Sequence, residues 1–343
     1  MATAAVNLSE WRVRPAGPSD LCGLKALAEL TGGGFTNLPN DRAALAERIE
    51  RSEASYAALL TEPQDENYLL VLEHAPTGRI GGTACLFSRV GVRWPFYSYK
   101  LTTLSMHSKE LGRTFRTQVL HLVNDFEGAS EVGGLFLHPD LRTGGLGRLL
   151  ARSRYLFLAL HRPRFGDRVL AELRGRMRPD GSAPFWDGLA GKFFGMSFQE
   201  ADAFNAAKGN QFIADLMPKY PVYVAMLPDE AREALGQPHE QGQAAMRMLE
   251  AEGFAFHGYV DIFDGGPTLD TRLADIRTVR EAVPARVTGT ANGHGGAVRL
   301  VAGGQLKQFR CAALPLRMSD DGELLAGAEG PFQSGDEVLH AHF

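Results

Sequence analysis

Residues 132–160 read VGGLFLHPDLRTGGLGRLLARSRYLFLAL, and this stretch decides the fold. Val132–Leu137 has the length and apolar composition of a strand and stops at His138-Pro139. A glycine-rich turn follows, Arg142-Thr143-Gly144-Gly145-Leu146-Gly147. Leu149–Leu160 then carries apolar residues on nearly every side, as a helix packed on a sheet does. The predicted unit is strand, glycine loop, helix.

That unit has a chemistry. A helix N-terminus presents unpaired N–H groups and the positive end of its dipole, so it favours a phosphate-sized anion. Glycines at 144, 145 and 147 let backbone approach the anion without a Cβ between them. Arg142 and Arg148 can add charge-assisted contacts. A Walker loop would place Lys-Ser/Thr after the last glycine, where Arg148-Leu149 stands. A dinucleotide loop would need a third glycine at G-x-G-x-x-G spacing, which Gly145-Leu146-Gly147 lacks. From the loop alone, anion binding and a tight turn with no ligand both stand open.

Outward from the loop, Trp11–Pro15 has β character. Ser19-Asp20 forms an N-cap pair for a helix carrying Leu21, Leu24, Leu27, Ala28 and Leu30, and Gly32-Gly33-Gly34 is read as its stop. A second helix is expected over Asp41–Glu53. Tyr68–Leu72 and Ile80–Phe87 read as strands joined by the turn Pro76-Thr77-Gly78. Residues 92–125, with Trp94, Phe96, Tyr97 and Tyr99, read as aromatic and irregular. These rings can shape a pocket or a subunit contact, and core packing is the commoner outcome. Val169–Leu173 is a short strand. Phe185–Phe194, Pro228–Leu235 and Ala244–Glu252 read as helices, the last closed by Gly253 and leading into a strand over Tyr259–Phe263. Beyond Val283, short strand-like runs alternate with Gly289, Gly293, Gly295-Gly296 and Gly303-Gly304. The early strands are joined too tightly for βαβ crossovers. The expectation is an α+β protein with a mixed, largely antiparallel sheet flanked by helices. Residues 1–283 form the main domain, with the loop in its first half (1–180), and 284–343 form a small β-rich C-terminal region.

The composition excludes several classes. Of 343 residues, 44% are apolar and 22% charged, which fits a globular core needing no disulfide or structural metal. A net charge of -4 argues against nucleic acid or an anionic membrane as partner. Cys22, Cys85 and Cys311 fit no zinc or redox spacing, and His107 and His121 lack ligand partners at metal spacing. No apolar run approaches the roughly 20 residues of a membrane helix, and from MATAAVNLSEW, with no basic region before an apolar stretch, a signal peptide is not expected. A cytoplasmic protein without a metal is expected.

Further strings carry a resemblance: TGGGFTNLP at 31–39, SKELG at 108–112, GASEVGGLFLHPDLRTGGLGRLLARSRYLF at 128–157, AELRG at 171–175, SAPFWDGL at 182–189, FFGMSFQEAD at 193–202, FIADLMPKYPVY at 212–223 and LEAEGFAFHGYVDIFDGGPTL at 249–269. From about Trp11 to Arg280 the sequence resembles the arginine (and ornithine) N-succinyltransferases of bacterial arginine catabolism, which have a GNAT-like fold. The resemblance implies transfer of succinyl from succinyl-CoA to the α-amine of arginine by direct attack in a ternary complex. It implies that the loop Arg142, Thr143, Gly144, Gly145, Gly147 and Arg148 holds the CoA pyrophosphate. Leu135 then falls at a succinyl-CoA contact, with Leu137 on the same strand. His239, in LGQPHEQ, matches the histidine assigned there as proton donor, although Pro238 and Glu240 replace the usual flanking Val and Pro.

Three acids accompany these. Glu131, inside a strand, is read as a catalytic carboxylate or as one satisfied by a neighbouring Arg or backbone donor. Asp261 and Asp264, in YVDIFDGG, are read as receptors for a guanidinium or as turn caps, with Asp125 a weaker candidate of the same kind. Open alternatives are ornithine or another amine as acceptor, another acyl-CoA as donor, and a non-catalytic acyl-CoA-binding subunit. The family precedent implies an oligomer, of identical or homologous subunits.

Overall fold

The structure, a computed structural model, describes residues 7–31, 37–208, 211–218, 220–290, 296–318, 324–326 and 330–343. The glycines at 32–34, 293 and 295 singled out above lie outside the described residues.

β1 (Trp11–Pro15) alternates buried and half-buried residues, as a strand covered on one face must. α1 (Leu21–Glu29) buries Leu24, Leu27 and Ala28. Asp20 does not cap it. Its carboxylate is buried and takes the Arg14 guanidinium at 2.7 Å and the Gly17 amide at 2.9 Å, while Arg14 also reaches Glu73 at 2.9 Å. A buried charge needs such a partner, and β1 supplies one that outcompetes the local cap. Asp41 does cap its helix, accepting the Ala44 amide at 2.8 Å at the start of α2 (Arg42–Ala57).

β2 (Asn67–His74) and β3 (Arg79–Phe87) follow as expected. The stretch read as irregular is instead a long hairpin, β4 (Ser98–Ser108) with β5 (Arg113–Val123). Its outer half is exposed, and its many Thr and Ser residues have β propensity without a strong apolar alternation, so the period-2 signal is weak.

Then come β6 (Ser130–Leu137), α3 (Leu146–Leu160) and β7 (Arg168–Glu172). The single helix expected over 185–194 is two short ones, α4 (Pro184–Gly188) and α5 (Gly191–Phe194), broken at Leu189 with φ -129° and ψ -84°. α6 (Phe198–Lys208), α7 (Gln211–Leu216), β8 (Val222–Tyr223), α8 (Asp229–Ala234) and α9 (Gln243–Ala251) lead to β9 (Ala255–Val260). β9 starts and ends earlier than expected, because Asp261 opens a turn. β10 (Pro267–Arg272), α10 (Arg277–Arg280), β11 (Val283–Thr290), β12 (Ala297–Gly303), β13 (Arg310–Met318), β14 (Leu324–Ala326) and β15 (Glu337–His342) complete the chain.

The chain divides into two compact units that are interleaved in sequence. One comprises residues up to Arg89, Ser130–Asp167 and Arg272–Phe343. Its strands run in the order β12-β15-β11-β14-β13-β1-β2-β3-β6, all antiparallel except β11 with β14. β12 also pairs with β13, so the last five strands close into a small barrel around Val301, Leu314 and Val338. β13 joins that barrel to β1 through the pairs Arg12↔Ala312 and Val13↔Cys311. α1 and α2 cover the β2–β3–β6 sheet over Leu24, Leu27, Leu45, Ile49 and Val71, and α3 packs on β1, β3, β12 and β13.

The second unit comprises Val90–Ala129 and Arg168–Thr271, with strand order β7-β10-β9-β4-β5-β8. Its core gathers Tyr99, Phe185, Trp186, Leu227 and Ile262. The mixed, largely antiparallel sheet flanked by helices expected from the sequence is present.

Candidate active site

In the first unit, the strand before the loop is interrupted. Thr83 pairs with Phe136 and Cys85 with Gly133, so three steps on β6 oppose two on β3. The extra residue makes a bulge, and Gly134 takes φ +57° to form it. Gly134 and Leu135 both fall within this interruption of the β3–β6 register. Leu137 is back in register against Gly82.

β6 ends at His138, whose Nδ1 accepts the Asp140 amide at 3.3 Å at the head of a single 3-10 turn. Arg142, Thr143 and Gly144 are exposed. Gly144 (φ +74°) and Gly145 (φ +90°) then turn the backbone left-handed into α3, a conformation in which a side chain would be strained. Gly145 is the N-cap, and no side chain caps the helix. The first amides of α3 therefore open beside exposed loop residues, the arrangement an external anion requires. Arg142 Nε reaches back to the Leu137 carbonyl at 3.4 Å. Arg148 lies over the Phe343 ring, 5.2 Å from its centroid, and the same ring packs at Gly145.

Glu131 sits half-buried at the far end of β6, opposite Phe87. Gly133 leaves room for it, since Glu131 Oε1 stands 3.0 Å and Asn37 Nδ2 3.3 Å from where a Cβ on Gly133 would be. Burial pushes the Glu131 carboxyl up to about 7, and the Arg48 charge only partly offsets this. Arg48 is held by Asn37 Oδ1 at 3.1 Å. Arg154, buried on α3, donates to the Gly133 carbonyl at 3.3 Å beside the bulge.

In the second unit, His239 follows an isolated bridge between Pro238 and Gly175, and its amide donates to the Arg174 carbonyl at 2.7 Å. Its Nδ1 accepts the Gln241 amide at 3.2 Å, which leaves Nε2 to exchange protons. Burial and then the Arg174 charge hold the imidazole below its usual range. Asp261 Oδ1 accepts the amides of Phe263 at 2.7 Å and Asp264 at 2.8 Å. Asp264 is buried, with Oδ1 on the Gly266 amide at 2.8 Å and Oδ2 on the Gly175 amide at 2.7 Å. Burial raises both carboxyls, and the Asp264 charge raises that of Asp261 further, to about 7. Asp202 is raised too, by burial and by Asp261.

Asp125 belongs to other contacts. It is exposed, accepts the Tyr259 hydroxyl at 2.9 Å, and its carbonyl accepts from Arg168 at 3.2 Å. Arg168 in turn pairs with Asp270 at 2.8 Å. The structure thus brings His239 together with the Asp261–Asp264 turn, and Glu131 with Arg48 and Asn37. It does not group Asp125 with the other two aspartates. Sequence reasoning missed Arg48, Arg154, Arg174, Asp202 and Phe343. Asn37, Arg154, Arg174 and Asp202 each lie within a quoted string that gave them no role, whereas Arg48 and Phe343 lie in none. Among the described residues, no three His, Cys, Asp or Glu side chains are placed to hold a metal ion.

A bulged strand, a left-handed glycine pair and an uncapped helix N-terminus flanked by arginines make up the geometry that an anion held on backbone amides would require. The family described as "Arginine N-succinyltransferase beta subunit" matches residues 11–278. The chain is 41% identical over 302 residues to the arginine N-succinyltransferase of Enterobacter sp. (strain 638), covering 87% of each protein. It is 42% identical over 270 residues to the arginine N-succinyltransferase of Escherichia coli (strain K12 / DH10B), covering 79% of this chain and 78% of that one. Among solved structures it is similar to arginine/ornithine succinyltransferase subunit AI from Pseudomonas aeruginosa, with a TM-score of 0.86 at 32% identity over 97% of this chain and 98% of that one. The chain belongs to the arginine N-succinyltransferase family.

Proposed function

We propose that this protein transfers the succinyl group of succinyl-CoA to the α-amine of arginine, as an enzyme of arginine catabolism. The observation that carries this reading is the 41% identity to an arginine N-succinyltransferase over 87% of both chains. The open amides at the head of α3 fit the pyrophosphate of the donor, with Arg142 and Arg148 adding charge, Thr143 a hydroxyl, and Gly144, Gly145 and Gly147 close approach. The main chain of Leu135, within the bulge, and that of Leu137 suit pairing with the pantetheine amides.

Glu131, with its raised carboxyl, takes one proton from the α-ammonium. The amine nitrogen attacks the thioester carbon, the carbon–sulfur bond breaks, and His239 gives its Nε2 proton to the CoA thiolate as the second nitrogen proton replaces it on the ring. The products are N2-succinylarginine, CoA and one released proton. Asp125, exposed beside Tyr259, is the acid left to meet the guanidinium. The reaction is read as cytoplasmic. An assembly with a second copy or a homologous subunit is read from the Pseudomonas aeruginosa relative, which is described as a subunit. Among the described residues no helix is long and apolar enough to cross a membrane.

Thiol release from succinyl-CoA with arginine, ornithine, lysine and agmatine tests the acceptor. Arginine is expected to be used best, and preferential use of ornithine would move the assignment to that amine. Binding without turnover by the purified protein would point to a non-catalytic subunit. His239→Ala is expected to lower turnover by about 10²- to 10⁴-fold, and a rate near wild type would remove His239 from the mechanism.

A further inference from the structure

Asp264 is buried, and both of its oxygens hold backbone amides. One oxygen holds the Gly266 amide and the other the Gly175 amide, both as buried hydrogen bonds below 3 Å. Gly175 and Gly266 close on this carboxylate without space for side chains: a Cβ on Gly175 would stand 2.4 Å from the Asp264 carbonyl, and one on Gly266 2.1 Å from the Leu173 carbonyl. The carboxylate therefore ties the end of the 168–175 segment to the turn that joins β9 to β10. The loop bearing His239 hangs from those same two pieces. Gly236 N–H donates to the Gly265 carbonyl at 2.8 Å, His239 N–H donates to the Arg174 carbonyl at 2.7 Å, and Pro238 bridges Gly175. Each anchor of the histidine loop is thus a chain neighbour of an amide that Asp264 holds.

We propose that Asp264 is the positioning residue that seats His239, by clamping the backbone of Gly175 and Gly266 from which the 236–239 loop is suspended. The proposal rests on the reading of His239 as the proton-transferring group. Asp261 completes the clamp. It accepts the amides of Phe263 and Asp264 and donates its own amide to the Gly266 carbonyl at 2.8 Å. The groups facing His239 are Arg174, whose charge disfavours the imidazolium, and Glu240, whose charge favours it. Asp202 and Asp264 both feel Arg174, so a change at the clamp reaches the imidazole through the same arginine.

Asp264→Asn is the direct test, because the amide fills the same space but turns an N–H donor toward one of the two backbone donors. Turnover is expected to fall about 10- to 100-fold, the effect of displacing a catalytic group by about 1 Å, with the KM for succinyl-CoA changed less than about 3-fold. The His239 imidazole titration, followed by NMR and identified by its loss in His239→Ala, is expected to move. In the double variant Asp264→Asn/His239→Ala the losses should not multiply. A wild-type His239 titration in folded Asp264→Asn, or losses that multiply, would overturn the proposal. Wild-type turnover in His239→Ala would instead remove the catalytic role of His239, while a moved titration in Asp264→Asn would still support the clamp. If Asp264→Asn does not fold, amide hydrogen exchange in the wild-type chain decides: Gly175, Gly236, His239 and Gly266 should open together, and independent, faster exchange of the Gly236 and His239 amides would refute the suspension.

Discussion

The loop at the head of α3 and the turn from Asp261 to Gly266 solve one problem in opposite ways. Both gather backbone amides around a point where negative charge belongs, and both use glycine to bring the main chain close. In the turn the anion is internal: Asp261 and Asp264 fill the amides, and the segment is buried. In the loop no side chain caps the helix and Arg142, Thr143 and Gly144 face solvent, so an anion there would have to arrive from outside. The difference teaches that a glycine-rich cluster of amides becomes a ligand site only where the protein withholds its own acceptor. An internal acceptor turns the same chemistry into scaffold.

His161 offers the strongest way to sharpen this contrast. It is buried at the end of α3, gives its Nδ1 proton to the Phe157 carbonyl and accepts the Leu306 amide on Nε2 at 2.9 Å. It is another internal acceptor, and it holds Leu306 at φ +45°. Burial pushes its imidazole down to about 4. The unfolded chain takes up a proton near 6.5 and the folded one does not, so stability is lost as pH falls from about 6.5 toward 4, by about 3 kcal/mol in all. Urea unfolding across that range measures it, and His161→Gln should flatten the slope. An unchanged slope would mean that the amide of Leu306 does not depend on a neutral acceptor.

At the open site the expected effect is somewhat smaller. Arg142→Ala should raise the KM for succinyl-CoA about 10-fold, the worth of roughly one charge-assisted hydrogen bond, and leave kcat nearly unchanged. If CoA analogues lacking the pyrophosphate lose as much affinity as succinyl-CoA in this variant, the loop is not the anion site. The smallest effect belongs to Phe343. Its ring supports Gly145 and lies beneath Arg148 at a distance typical of cation–π contact, so Phe343→Leu should raise the same KM about 2- to 5-fold. Phe343→Trp should restore it, which a purely steric role for the ring would not require.

The sequence exposed these regions unequally. The strand–loop–helix unit was legible because its signals are local: an apolar run, two left-handed glycines and an apolar helix within thirty residues. The Gly134 bulge within that strand was not, since it exists only in the register of β6 against β3. The hairpin of β4 and β5 escaped because its outer half is exposed, which removes the alternation that marks a strand. Ser19-Asp20 looked like a cap until β1 placed Arg14 beside the carboxylate. In YVDIFDGG the carboxylates read either as receptors for a guanidinium or as turn caps, and only tertiary contacts show which amides they hold. His239 stood out by family resemblance alone, for nothing in its own neighbourhood distinguishes it from a loop histidine.

For the loop at 142–147, then, the amino-acid sequence by itself determined that an anion site could exist there, because helix amides and glycine geometry are properties of consecutive residues. Tertiary structure alone decided what surrounds it and what became of the other candidates. Phe343 reaches Gly145 from the opposite end of the chain, and Arg154 crosses from α3 to the Gly133 carbonyl. Asp264 finds the Gly175 amide 89 residues away. Burial, the partner of a charge and the filling of an amide are set by chain segments far apart in sequence, and for that reason no local pattern encodes them.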